Sequence, residues 1–532
     1  MAEDEKEELL YDGCGNSQGS TMEDWSALKG ENPLWKNFLR CALVPSTGGA
    51  ACGMGLGNIG GVVASRGFKD AYRNPSDSMI EALVSAMPLG AICGSVFVGY
   101  LMDRFGRRSS SMLVAVLIMI SSLLLFIPLW VFLPWWAIFL CRFFVGIGTG
   151  MGYGTIYTMG AEMAHPSYRG RILTLVQVFT TVGIFLGYLT NLIALTSSQS
   201  AWCMSLGVQG LVAIPFFLVA YFGPESPRWL MMQGYRNLAV RTLCFLRTPQ
   251  DDVREELQAM SAAAAATADA RTAAWQHRRS SCNGRLPVIK EDQRRGGSIG
   301  TASSVAAGQK SSDSSGGWKD LCARSHRKMA AVGIILWGLQ LLSGIDVITN
   351  YAPQIFDRGQ DDISESRKLF YTLLVGVVYV AATPFATLTV DRLGRRALLL
   401  SGSFGMTLMY IGISVVIGGS IGGSEALLPF VLLLVIFYSV SWGPVSCAMA
   451  SELVETSIRA KVNAVGTVTN WLADYVVVSS FLTLSSTLGE RATFAMYASI
   501  CFLSGIFVLV YVPETNGLAL GDVRGSVESE NG

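Results

Sequence analysis

One pattern is written twice in this chain, and the repeat constrains the fold more than any other feature. Asp103-Arg-Phe-Gly-Arg-Arg108 returns as Asp391-Arg-Leu-Gly-Arg-Arg396, an offset of 391 − 103 = 288. Glu162 and Arg169 return as Glu452 and Arg459, an offset of 290 for both. Pro224-Glu-Ser-Pro-Arg228 is echoed by Pro513-Glu-Thr-Asn-Gly517, offset 289. Three charged motifs in one order at nearly one offset mean a duplicated half. The stretches between them are apolar and about one membrane thickness long. Internal symmetry of membrane-spanning halves is how a site that opens to either side is built.

Composition fits that reading. Of 532 residues, 51% are hydrophobic and only 15% charged, where a soluble domain carries about 25%. A net charge of +1 argues against a nucleic-acid partner. The eleven cysteines include no Cys-x-x-Cys pair, and the three histidines (His165, His277, His326) fall in predicted loops. Neither a disulfide framework nor a metal centre is indicated, and no cofactor is expected.

A spanning helix needs about 20 apolar residues. The hydropathy pattern predicts an all-α membrane protein with twelve spans, at 37–64, 79–102, 110–131, 134–158, 171–196, 201–222, 328–352, 368–390, 397–419, 427–452, 460–485 and 491–512. Six spans (37–222) precede a polar loop at 223–327 and six (328–512) follow it. Within the loop, 224–261 reads as amphipathic helix and 262–317 as disordered, being Ala-rich and then Ser/Gly-rich. Arg and Lys clusters at 103–109, 165–171, 391–396 and 456–461 place the 1–36 tail, the loop and the 513–532 tail in the cytosol. The loop at 65–78 dissents, with Arg66, Lys69 and Arg73. Glu5-Lys-Glu-Glu-Leu-Leu10 fits an acidic dileucine pattern that cytosolic sorting adaptors read. The plasma membrane is the expected location, with an endosomal or vacuolar pool as the alternative.

Charges at a membrane edge pair with one another between helix ends. The expected network comprises Asp103, Arg104, Arg107, Arg108, Glu162, Arg169, Glu225 and Arg228 in one half. Asp391, Arg392, Arg395, Arg396, Glu452, Arg459 and Glu514 are its counterparts in the other. A ring of such pairs would lock one face shut and break when it opens; the plainer alternative is topology anchoring by positive charge. Gly99, four residues before Asp103, is expected to let helices approach closely. Mid-span amides suit a hydroxyl-rich solute, because an amide both donates and accepts. Thr174, Gln177 and Thr181 share a stripe of the fifth span; Asn470 and Asp474 share a face of the eleventh beside Trp471.

Together these motifs resemble the sugar porters of the major facilitator superfamily, the group of hexose facilitators and proton–sugar symporters. The likeness covers residues 37–517. It rests on Gly99…Asp103-Arg-x-Gly-Arg-Arg, Arg142-x-x-x-Gly146-x-Gly-x-Gly150, Glu162…Arg169-Gly170 and Pro224-Glu-Ser-Pro-Arg-Trp229 in the first half. In the second it rests on Gln340-x-x-Ser343-Gly344-Ile345…Tyr351, Trp442-Gly-Pro444 and Pro513-Glu-Thr-x-Gly517. The resemblance implies two pseudo-symmetric six-helix halves, alternating access and a monosaccharide or polyol substrate. It implies sugar contact at Gln177, Gln340 and Asn470, with Asp346, Asn350, Trp442 and Asp474 as further candidates. Interhelical hydrogen bonding is the alternative role for each amide.

Several pocket positions depart from the family. A second Gln is Leu341, an Asn is Asp346, an Asn of the eighth span aligns with Tyr379, and a Trp of the tenth is Cys447. Proton symporters of the family carry an Asp where this chain has Gly55, so Arg142 lacks that partner and facilitated diffusion is expected. Asp346 is then a proton site, a hydroxyl acceptor, or the partner of a buried base. The competing functions are a passive hexose or polyol carrier, a proton-coupled carrier using Asp346, and a nutrient receptor on a carrier fold. No catalytic constellation is visible, so an enzyme is not expected.

Overall fold

In a computed structural model, the chain is described at residues 34–129, 133–165, 169–197, 201–247, 253–262, 265, 326–357, 364–419, 423–454 and 456–514. The dileucine pattern, most of 262–317 and the tail beyond Glu514 lie outside the described residues. The first half contains α1 (Leu34–Ala64), the short α2 (Arg66–Ala71), α3 (Asp77–Phe105), α4 (Arg107–Leu123), α5 (Trp135–Met163), α6 (Arg169–Ser197) and α7 (Trp202–Phe222). Two short helices follow, α8 (Pro227–Met232) and α9 (Arg236–Leu246). The second half contains α10 (Arg327–Leu342), α11 (Ile345–Asp357), α12 (Glu365–Leu393), α13 (Arg395–Gly419), α14 (Gly423–Val440), α15 (Trp442–Glu452), α16 (Thr456–Thr487) and α17 (Glu490–Tyr511).

Among the described residues, ten helical segments are long and apolar enough to cross a membrane. The other two of the twelve spans are α1 and α16, with 31 and 32 residues. Their length suffices, but Gly, Ser, Thr and Asn dilute their hydropathy. Helix is the form that satisfies every backbone group inside the chain where water is absent. Two spans are broken in the middle. The seventh divides at Gly344, whose φ of +81° suits glycine, so α10 ends and α11 starts at an angle. The tenth divides at Ser441, between α14 and α15.

Small residues set how closely the spans pack. A β-carbon on Gly53 would lie 2.0 Å from the Thr180 carbonyl oxygen, so α1 and α6 touch backbone to backbone. Gly90 of α3 and Gly146 of α5 do the same reciprocally, at 2.0 Å from Phe143 O and 2.1 Å from Met87 O. The expectation for Gly99 does not hold: nothing lies within 4 Å of its β-position. The close α3–α5 approach sits deeper in the bundle, and Gly99 faces open space.

The halves meet chiefly at the end away from the charge motifs. There the Glu81 carboxylate accepts the backbone N–H and the hydroxyl of Thr483, both at 2.7 Å. The Tyr188 hydroxyl donates to Thr349 O at 2.8 Å. A β-carbon on Gly60 would fall 2.2 Å from Asn350 O, so α1 presses on α11. An exposed pair, Arg66–Glu365 at 4.0 Å, adds little.

Candidate functional site

The duplicated motifs build one construction twice. Gly106 (φ +90°) and Gly394 (φ +85°) turn the chain into α4 and α13, leaving the first N–H groups of each helix without a carbonyl partner. A carboxylate from the end of each half fills that gap. Glu225 accepts from the N–H of Arg107 (2.9 Å) and Arg108 (3.1 Å); Glu514 accepts from Arg395 and Arg396, both at 3.1 Å. The guanidinium of Arg108 donates to Tyr221 O and that of Arg396 to Leu509 O, each at 2.6 Å. Burial pushes the Glu225 carboxyl up from the usual range, while the N–H groups of Ser226, Arg108 and Arg107 pull it back.

The ion pairs differ from the expected ring. Glu162 is held by Arg107 in a bidentate pair, Nε and Nη2 each at 3.0 Å, and accepts the Ser226 hydroxyl at 2.5 Å. Glu452 pairs with Arg395 at 3.5 Å. Arg169 and Arg459 pair with neither acid. Arg459 donates to Val454 O at 3.2 Å, and Arg169 lies in electrostatic reach of Arg228, Arg247 and Glu256. Asp103 is a secondary partner of Arg107 at 3.5 Å, and Arg104 bonds the exposed Tyr100 hydroxyl. The side chains of Asp391 and Arg392 lie outside the described residues. Each acid therefore binds the arginine of the adjacent turn within its own half.

Midway along the bundle, amides gather at the broken spans. Gln340 donates to Gly443 O at 2.9 Å, and its carbonyl accepts from Asn470 at 3.1 Å and from the Cys447 thiol at 3.5 Å. Asn470 also donates to Trp337 O at 2.8 Å. This lattice ties spans seven, ten and eleven together. Gln177, half-buried on α6, makes no hydrogen bond with the described residues and is free for a ligand. The hydroxyls of Thr174 and Thr181 bond their own helix, at Gly170 O and Val178 O. Asn350 likewise donates to Asp346 O, at 2.9 Å. Trp442 is a correction. Its buried indole donates to Leu399 O (3.1 Å) and Ser403 Oγ (2.9 Å) on α13, so it packs inside its own half.

Two buried charge sites remain. Arg142 on α5 bonds Leu83 O at 2.9 Å and Asn58 Oδ1 at 3.5 Å. Gly55 leaves no acid beside Arg142 from that position, and a β-carbon there would meet the movable ends of Gln209 and Met87, at 2.6 Å and 3.0 Å. On the other side, Asp346 meets no buried base among the described residues. Its carboxyl lies within hydrogen-bonding reach of Asp474 on α16. Sequence reasoning missed Asn58, Glu81 and Tyr188. Glu81 was visible as an acid inside a predicted span, the ordinary sign of a functional position.

The sequence profile of the family described as Sugar (and other) transporter matches residues 41–290 and 293–524. The chain belongs to this family of sugar transporters. The transporter is 28% identical to a D-xylose transporter of Levilactobacillus brevis, over 91% of this chain and 94% of that one. It is 28% identical to probable polyol transporter 6 of Arabidopsis thaliana (95% and 99%), and 27% identical to the facilitated trehalose transporter Tret1 of Drosophila erecta (89% and 51%). In structure it resembles the partially occluded, inward-open xylose transporter XylE from E. coli. The TM-score is 0.72 at 23% identity, over 91% of this chain and 100% of that one. The proton:xylose symporter XylE bound to 6-bromo-6-deoxy-D-glucose gives 0.71 at 24%, over 93% and 100%. The transporter therefore has the major facilitator fold, twelve helices in two pseudo-symmetric halves spanning a membrane.

Proposed function

We propose that this transporter carries a hexose or a closely related polyol by facilitated diffusion, leaving the solute chemically unchanged. The observation that carries the reading is the amide arrangement at mid-membrane: Gln340 and Asn470 linked at the span-seven bend, with the free amide of Gln177 on the other half. Neutral donor–acceptor groups match solute hydroxyls and attract no ion. The passive drive rests on Arg142, which meets an amide and a carbonyl where coupled relatives are expected to place an acid. The charge motifs, both tails and the central loop face the cytosol in this reading. The plasma membrane is the working location, and the dileucine pattern would recruit sorting adaptors.

Reconstituted protein is expected to equilibrate one member of a panel of glucose, fructose, galactose, xylose, inositol and trehalose without a pH gradient or current. Accumulation above the external concentration, collapsed by a protonophore, would overturn the passive reading. The buried Asp346–Asp474 contact favours that second reading, a proton-coupled carrier.

The amides give a direct test. Gln177→Ala and Gln340→Ala each remove a hydrogen-bonding amide, costing about 1–3 kcal/mol, or roughly 5- to 150-fold in affinity. Gln177→Ala is expected to do so at unchanged thermal stability. Gln340→Ala should also lower stability, because Asn470 and Gly443 lose a partner. Unchanged affinity in both variants would return these residues to interhelical bonding alone.

A further inference from the structure

Asp346 and Asp474 come from different spans and touch where no base reaches them. Asp474 is 0% exposed, and neither of its oxygens receives an N–H or O–H from a described residue. Two ionised carboxylates are acceptors only, so they repel at this distance and cannot bond. With one proton between them they form a single hydrogen bond and a single shared charge. The Thr349 hydroxyl lies within reach of Asp346 as well.

The ionisable groups around the pair are phenols. Tyr153 and Tyr188 of the first half, and Tyr379, Tyr410 and Tyr438 of the second, lie within electrostatic range of Asp346. Tyr351 reaches Asp474, and it also stands in range of Arg142 and Glu81. No lysine or arginine is among the groups acting on either carboxyl. Tyr410 on α13 and Tyr497 on α17 have buried hydroxyls with no partner among the described residues, their rings 5.9 Å apart. Tyr497 also packs against the Gly344 bend, where a β-carbon would lie 2.6 Å from its ring.

We propose that Asp346 and Asp474 form a proton-binding site, one proton shared between two carboxyls, that holds the outer half of span seven in its solute-binding position. The proton is a resident ligand and stays with the pair through each cycle. Its loss leaves two like charges at the start of α11 and drives α11 and α16 apart. The site rests on the carrier reading and adds to it a proton requirement without a proton flux.

Infrared spectroscopy of the purified transporter tests the site without any solute. A protonated-carboxyl carbonyl band is expected at neutral pH, vanishing on alkaline titration and missing from both Asp346→Asn and Asp474→Asn. In vesicles, wild-type solute affinity is expected to fall roughly tenfold per pH unit once the proton leaves. In Asp474→Asn the affinity, whatever its level, should no longer follow pH. Absence of the band at neutral pH, or a pH response that survives in both variants, would overturn the proposal. A solute-driven proton current would overturn both the passive reading and the resident proton, whereas failure of every solute to bind would overturn the carrier reading and leave the infrared result to decide the site.

Discussion

Arg107→Ala is expected to be the most damaging single change at the charged end. Arg107 and Glu162 are 7% and 14% exposed, so the pair is largely out of water, and the arginine also donates to Met102 O at 3.0 Å. Removing one partner of a buried pair leaves an uncompensated charge and costs about 3–5 kcal/mol. The thermal midpoint in detergent should drop markedly, and uptake per folded molecule should fall with it. Arg395→Ala removes the counterpart in the second half. That pair is longer, 3.5 Å, and more exposed, 19% and 29%, so the loss should be smaller. Equal effects in the two halves would mean that the duplicated motifs are equivalent in energy as well as in sequence.

Gly53→Ala is expected to abolish the folded transporter, against the usual trend. In a helix, alanine ordinarily stabilises by roughly 0.5–1 kcal/mol relative to glycine. Here the new methyl would sit 2.0 Å from the Thr180 carbonyl oxygen, and backbone on a packed helix cannot swing aside. Overpacking typically costs about 1–3 kcal/mol where side chains relax, and this contact has none to relax. Gly99→Ala, with nothing within 4 Å, should follow the ordinary trend and stabilise. Thermal unfolding of the two variants side by side checks both signs. A stable Gly53→Ala protein would show that α1 and α6 sit farther apart than described.

The contrast between those two glycines shows what a single sequence discloses. The spans and the duplication are legible because lipid demands long apolar helices and the charge motifs recur at one spacing. Which glycine makes the close contact is not, since Gly53 and Gly99 look alike until the neighbouring helix is placed. The acids of the repeated motifs were legible as charges but not in their pairing. Glu162 and Arg169 are near in sequence, yet Arg107, 55 residues away, takes the acid. Trp442 shows the same limit. An aromatic on a broken span could face either a solute or the core, and only the Leu399 carbonyl decides. Asp346 was legible as an anomaly, and its nearness to Asp474 on another span is set by tertiary structure.

The capping carboxylates bear on how such a molecule moves. Glu225 and Glu514 each reach back from the end of a six-helix unit to clasp the third span of that same unit. The clasps and the buried arginine pairs all lie within halves, so a rocking motion leaves them intact. Among the described residues, the polar contacts across the halves are a tyrosine on a carbonyl, one carboxylate on a threonine and the exposed Arg66–Glu365 contact, beside the close α1–α11 approach at Gly60 and the Tyr153–Trp471 ring contact. Such a machine is two bodies, each clasped internally, on a seam with few polar bonds. Adding a polar bond at that seam, for instance by placing a second donor opposite Glu81, is expected to slow exchange without making either body any firmer.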